Sequence, residues 1–436
     1  MTPEIKQRIE QIRNDEVPEG YTKTKHGIFP SHWKVDKLGN YLQEYRELTN
    51  EIEKYPVYSS SRKGLLPQSQ YYDKREVVTT NLGYKKVPNG YVTYRHMSDD
   101  DIFRFNKNTT DDTVLVSSEY PVFNCNTNGD IDYILPLLND SPRFKYYCRI
   151  QKMGGTRTRL YYKNLCQYTT AFPPLKEQQK IANILSAQDK VIECYEKKIE
   201  QLKRMKKYYL QNMFPKRGET VPKIRFKGFT DPWKQRELGE CMETVTDYVA
   251  AGSFADIADH VQYKNSPDFA QLIRTADLKH EFRNIDYVYV DKDAFDYLWR
   301  VNLNEECIVL PNIGANIGEV YYIEPLSLPF KSNVLGPNAI LLKTKDSTKF
   351  MFTLLQADDF QNKLYISIAS SGQPKFNKTE LKSIKILMPR PDEQEQIGAY
   401  FSKLDHLIAL HQRTLEEEKK KKKALQQLLL TGIVRV

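Results

Sequence analysis

Pro173-Pro174-Leu175-Lys176-Glu177-Gln178-Gln179-Lys180-Ile181-Ala182-Asn183-Ile184-Leu185-Ser186-Ala187-Gln188-Asp189-Lys190-Val191-Ile192 has a second version 216 residues on. That version reads Pro389-Arg390-Pro391-Asp392-Glu393-Gln394-Glu395-Gln396-Ile397-Gly398-Ala399-Tyr400-Phe401-Ser402-Lys403-Leu404-Asp405-His406-Leu407-Ile408. Proline ends a strand and is tolerated in a first helical turn, so each copy opens a helix. Spacings of three and four then continue through Ile181, Leu185, Gln188, Ile192, Tyr195, Ile199, Leu202, Lys206, Tyr209 and Met213. The second copy keeps the register through Ile397, Phe401, Leu404, Ile408, His411, Leu415, Glu418, Lys422, Leu425 and Leu429. This heptad pattern predicts two long helices of equal length that pack on each other as a coiled coil. A helix over residues 178–214 would be ~55 Å long at ~1.5 Å per residue, which is a strut.

Ahead of each strut stands a second repeat. Phe29, Trp33, Lys34, Leu38 and Gly39 return 200 residues later as Phe229, Trp233, Lys234, Leu238 and Gly239. The stretch between anchor and strut differs in length and text, 145 residues from Trp33 to Gln178 and 161 from Trp233 to Gln394. Two alike frames around unlike inserts predict one task performed on two targets. The expected order is a leader helix and linker over 1–28, a first body over 29–172, a strut over 173–215, a link over 216–228, a second body over 229–388 and a second strut over 389–436.

Within the bodies, short β-rich runs at 76–80, 91–94 and 113–116 alternate with Gly, Pro, Asn and Asp. The second body repeats that texture at 287–290, 306–310, 320–323 and 339–342, with one helical stretch at 348–361. The expected class is therefore α/β (α+β): two mixed bodies and two long helices in a pseudo-two-fold tandem repeat. The short link between the first strut and the second anchor favours antiparallel struts, with the bodies at opposite ends.

The chain has 436 residues and a formal charge of +9, a moderate surplus that on its own leaves a polyanionic partner open. Six cysteines lie far apart, without the spacing of a zinc knuckle or a disulfide frame. No apolar run of about 20 residues occurs, so a cytoplasmic protein away from any membrane is expected.

Two domains held apart by a spacer match the way dimeric DNA readers place two half-sites. Here one chain would supply both, and unlike bodies would read unlike half-sites with an unread gap set by the struts. The leading contact candidates lie in loops just before each strut. They are Arg157, Arg159 and Lys163 after Gly154-Gly155, and Gln373, Lys375, Asn377 and Lys378 after Ser370-Ser371-Gly372. Arg and Lys match guanine edges or phosphates, and Gln and Asn match adenine. Weaker candidates are Arg62, Lys63, Lys85, Lys86 and Arg95, with His96 beside it, and, in the second body, Arg274, Lys279, Asn312, Asn316 and Lys331.

Motifs of catalysis are sparse. Gly314-Ala315-Asn316-Ile317-Gly318 lacks the Lys-Ser or Lys-Thr of a phosphate loop and reads as a turn, and Glu380-Leu381-Lys382 lacks the upstream Pro-Asp of a nuclease. No catalytic or metal-binding residue is assigned.

Together, the paired Phe-x-x-x-Trp-x-x-x-x-Leu-Gly openings, the Glu177-Gln178-x-x-Ile181 type starts and the two divergent bodies resemble the specificity subunit of type I restriction-modification systems. The resemblance implies two target-recognition domains alternating with two helical regions, in a chain without catalysis or cofactor of its own. It further implies double-stranded DNA, two modification subunits that methylate adenine with S-adenosylmethionine, and two ATP-driven, magnesium-using restriction subunits as partners. The helices, through Ile181, Leu185, Ile192, Ile199, Leu202, Ile397, Phe401, Leu404, Ile408, Leu415 and Leu425, would serve coiled-coil or partner contacts. The second copy departs from the pattern in Arg390-Pro391-Asp392 and in Glu418 on its seam, which leaves the packing of its last turns open. A coiled-coil adaptor that binds only proteins is the alternative.

Overall fold

The computed structural model describes residues 2–68, 83–152, 156–283, 286–369 and 374–436. The strand expected at 76–80 lies outside the described residues, as do Gly154, Gly155 and residues 370–373, Gln373 among them. The chain divides into two compact units, Met1–Tyr195 with Thr414–Val436, and Glu196–Arg413. Both long helices, Leu175–Asn212 and Pro391–Leu430, are cut by this division. Each unit therefore owns one body and a half of each helix.

The frame closes identically in the two units. In the first, Lys34–Lys37 pairs antiparallel with Thr169–Phe172, Lys34 opposite Phe172. In the second, Lys234–Glu237 pairs with Lys385–Met388, Lys234 opposite Met388. The two offsets of the sequence are thus the two strands of one ribbon, each carrying its own repeat. The Leu-Gly that follows turns into a 3-10 helix, Leu38–Asn40 or Leu238–Cys241. A Cβ on Gly39 would lie 2.8 Å from Cys166 Cβ, and one on Gly239 would lie 3.0 Å from Lys382 Cβ. The repeated glycine is there because two backbones meet.

A four-stranded antiparallel sheet follows in each unit, with the same strand order. It runs Phe105–Lys107, Val92–Tyr94, Val122–Cys125, Leu42–Tyr45 in the first, and Tyr321–Ile323, Cys307–Pro311, Ala339–Thr344, Met242–Asp247 in the second. A helix pair comes next, Ile131–Asp140 with Pro142–Arg149, and Thr348–Gln356 with Asp358–Ala369. The single helix expected over 348–361 is therefore broken. Ala357 is extended, with φ −70° and ψ 147°, and the break lets Phe350 and Leu354 on one side and Phe360 and Leu364 on the other bury in one core.

The inserts differ. The first unit adds an antiparallel sheet of Val114–Ser117, Tyr84–Val87 and Leu48–Thr49, and a hairpin of Tyr58–Ser61 with Gly64–Pro67. The second adds Val288–Val290, Ala270–Ile273 and Asn333–Leu335, the last two parallel, with three short helices around them.

The seam residues bury partly against each other and partly in the bodies. Ile181 and Leu185 share a core with Trp33, Phe172, Leu429 and Leu430 in the first unit. Leu202, Met213 and Phe214 share one with Trp233, Ile397, Phe401, Leu404 and Ile408 in the second. Ile199 and Leu415 are buried, while Ile192 and Leu425 are half-buried. Each such side chain contributes about 1.5–3 kcal/mol when fully buried.

In both units the helices run antiparallel. In the first, Ile181 and Leu185 lie in the core that holds Leu429, and further along Asp189 accepts from Lys422. In the second, Lys206 Nζ reaches Asp405 at 2.6 and 2.9 Å, and Tyr209 meets Tyr400 edge-on. The repeat equates Asp189 with Asp405 and Lys422 with Lys206, so one inter-helix ion pair is made twice. Glu418, a polar residue on the second seam, accepts from Gln188 Nε2 on the first.

The Glu-Gln pair that opens each helix is buried for a reason. Gln178 Nε2 donates to Pro173 O, and Gln394 Nε2 donates to Pro389 O, both at 3.0 Å. Each glutamine thus ties the first turn of its helix to the proline before it. The glutamates part ways. Glu177 accepts from His32 Nε2 at 2.7 Å and Trp33 Nε1 at 3.3 Å, whereas Glu393 accepts a fork from Arg225 at 2.7 and 2.8 Å.

The leader helix, Pro3–Arg13, is N-capped by Thr2, and Arg8 Nη1 donates to Ile433 O at 2.6 Å. No helix among the described residues is long and apolar enough to cross a membrane.

Candidate nucleic-acid interface

In each unit a small ribbon ties the loop after the central strand to the loop before the long helix. In the first, Met97–Ser98 pairs with Thr158–Arg159, Met97 opposite Arg159, and Leu160 N donates to His96 O at 2.8 Å. In the second, Ile313 bridges to Lys375, and Phe376 N donates to Asn312 O at 3.3 Å. His96 and Asn312, Met97 and Ile313, Arg159 and Lys375, and Leu160 and Phe376 all stand 216 apart. Leu160 and Phe376 are buried and anchor the ribbons, so their neighbours Arg159 and Lys375 are held at the surface. An alternation of buried and exposed side chains is what a strand supplies.

In the first unit this ribbon gathers most of the expected cations. Arg95, Arg157, Arg159 and Lys163 are exposed around it. Arg62 and Lys63, at the tip of the hairpin of Tyr58–Ser61 and Gly64–Pro67, join the group because Arg62 pairs with Asp100. Arg157 Nε donates to Asp99 at 2.7 Å. Lys63, Arg95, Arg159 and Lys163 have no side-chain hydrogen bond or ion pair with the described residues. His96, 8% exposed, stacks on the exposed Tyr161 ring with centroids 5.5 Å apart. Burial lowers the proton affinity of His96, with Glu119 opposing and Arg159 and Arg95 assisting. Lys85 and Lys86 lie elsewhere, on Tyr84–Val87: Lys85 Nζ donates to Tyr120 O, and Lys86 pairs with Glu47. Burial lowers the proton affinity of Lys85.

The second unit presents a different surface. Lys375 is exposed and without a side-chain partner among the described residues, and Asn316 lies half-buried in the neighbouring loop. Lys279 reaches that loop by pairing with Glu319. Other expected contacts carry internal duties. Asn312 Nδ2 donates to Phe376 O, Asn377 caps the helix Lys378–Ser383 together with Glu380, and Lys378 pairs with Asp247 at 2.7 Å. Arg274 forks onto Asp277 and donates to Asp286 O. Lys331 is exposed just before Asn333–Leu335, apart from the ribbon. Gly314 and Gly318, both at positive φ, shape a turn between two strands.

The sequence reading did not single out the acidic run Asp99, Asp100 and Asp101, nor the Tyr161 stack. The acidic run was visible directly after Arg95-His96-Met97-Ser98, but pairing with distant arginines leaves no local pattern. Chemically, exposed guanidinium and ammonium groups beside an aromatic face suit base edges and phosphates. Among the described residues no group of three His, Cys, Asp or Glu side chains could hold a metal ion.

A family model for the type I restriction modification DNA specificity domain matches residues 37–204 and again residues 231–419. The chain is 29% identical to the type I restriction enzyme MjaVIII specificity subunit of Methanocaldococcus jannaschii, over 95% of this chain and 96% of that one. It is 24% identical to the putative type I restriction enzyme MjaX specificity subunit of the same organism, over 96% and 97%. In fold it is similar to the S subunit of a type I restriction-modification system from M. genitalium, with a TM-score of 0.57, 14% identity, and coverage of 91% and 96%.

Proposed function

The chain belongs to the type I restriction modification DNA specificity family, with two specificity domains, and on that premise we propose that it reads a bipartite, asymmetric duplex, one half-site per domain. The observation that carries this reading is the recurrence of one ribbon in both units with different side chains on it, Arg159 in one and Lys375 in the other. A repeated scaffold with exchanged contacts is the expected build of two independent readers. In the same reading the chain performs no chemistry. It brings modification subunits, which methylate adenine with S-adenosylmethionine, and ATP- and magnesium-dependent restriction subunits to the site.

The test is selection from a random duplex pool by the full-length chain together with its companion methyltransferase. A split consensus is expected. Arg159→Ala then weakens one half-site by ~1–3 kcal/mol if it touches a base, and Lys375→Ala weakens the other. No consensus, or equal losses at both half-sites from either substitution, overturns the reading; the former outcome favours a protein-only adaptor.

A further inference from the structure

We infer that Asp99 and Asp100 set the stringency of the first domain by withholding Arg157 and Arg62 from indiscriminate phosphate contact. The inference rests on the DNA-reading function proposed above. Three consecutive carboxylates of one loop each hold part of the reading surface. Asp99 takes Arg157, Asp100 takes Arg62 from the hairpin, and Asp101 takes the hydroxyl of the buried Thr158. The loop is built for this. Ser98 Oγ donates to Asp100 Oδ1 at 2.9 Å or to Ile102 O at 2.8 Å, and Asp101 sits at φ +63° to turn its carboxylate toward Thr158. Asp tolerates that left-handed backbone better than most residues.

Both ion pairs are largely open to solvent, with side-chain exposures of 61% and 43% for Arg62 and Asp100, and 51% and 65% for Arg157 and Asp99. Such pairs are weak and easily exchanged. Either ligand must displace the carboxylate: a passing phosphate exchanges one anion for another and gains the guanidinium little, whereas a guanine edge in register offers two acceptors in one plane beside the domain's other base contacts. The acids therefore tax wrong contacts more than right ones. The second unit is arranged differently: the single carboxylate Glu319 at the end of its corresponding loop takes Lys279, and Lys375 has no acidic partner among the described residues.

The experiment compares the full-length chain with Asp99→Asn/Asp100→Asn, on the duplex selected as above and on duplexes with one or the other half-site scrambled, across a salt series. The double variant should bind the duplex scrambled at the first domain's half-site roughly tenfold more tightly, from about two- to fivefold per released arginine. Its salt dependence should steepen by about 0.9 in slope per arginine gained by phosphate. Discrimination at the other half-site should stay unchanged. Asp99→Glu keeps the charge and should retain the parent's stringency. Unaltered discrimination with an unaltered salt slope overturns the inference, and so does a loss in Asp99→Glu equal to that in Asp99→Asn, because charge would not then be the operative property. If the unmodified chain selects no duplex at all, it is the underlying reading that fails, before any variant is compared.

Discussion

Replacing Arg225 by methionine removes the guanidinium fork and keeps most of the aliphatic stem. Glu393 is 0% exposed on its side chain and Arg225 is 11% exposed. The carboxylate stands in the first turn of a 40-residue helix, whose dipole offsets only ~0.3–1 kcal/mol of an unpaired charge. Losing one partner of a buried pair costs ~3–5 kcal/mol, because the other charge stays dehydrated. Arg225→Met should therefore destabilise the second unit by about that amount. Arg225→Met/Glu393→Gln removes both charges and leaves a neutral amide, so it should recover most of the loss. Two units need not unfold as one, so a bulk melting curve is a poor measure. Hydrogen exchange of the amides in Thr348–Gln356 and Lys385–Met388 reports on the second unit directly. If single and double variants agree within about 0.5 kcal/mol, the buried pair does not hold the start of this helix and the argument from burial is wrong.

Gly432→Ala should destabilise the first unit more than Gly90→Ala does, read by hydrogen exchange of the amides in Lys34–Lys37 and Thr169–Phe172. Both glycines have positive φ, which costs a Cβ residue about 1–2 kcal/mol, but only at Gly432 would the new Cβ also fall 2.5 Å from Pro30 Cδ and 3.2 Å from Trp33. Equal losses would show that the packing of the chain's last turn beneath Trp33 is unimportant. Burial of His96 lowers its folded-state proton affinity, so below the ordinary value of 6.5 the unfolded chain binds the extra proton first. Stability of the first unit should thus be flat above about pH 6.5 and fall as pH drops through the window beneath it. His96→Asn should flatten that slope, and an unchanged slope would assign it to other groups.

The repeats, the two long helices and the positions of the anchors were legible because helical periodicity and a recurring Trp or Leu-Gly are local properties of the text. The single helix expected over 348–361 was not, since a break at Ala357 follows from where two apolar faces must turn to reach one core. The contact candidates divided in the same manner. Asn377 and Arg274 have the right chemistry for DNA, and each also engages a carboxylate three residues on, Asn377 in a capping box with Glu380 and Arg274 with Asp277, a local pattern that residue type alone does not reveal. Arg62 and Arg157, separate in sequence, came together through Asp100 and Asp99.

By itself the sequence determined that one frame is built twice, that each frame opens on an aromatic anchor and leads into a long amphipathic helix, and that the inserts differ. Only the tertiary structure decided that Leu429 and Leu430 finish the core around Trp33 while Met213 and Phe214 finish the one around Trp233, and that Arg62 and Arg157 meet Asp100 and Asp99. The reason is physical: a helix's apolar stripe is written in neighbouring residues. The partner of a stripe, or of a charge, is fixed by chain segments that meet only when hydrophobic burial has closed the fold.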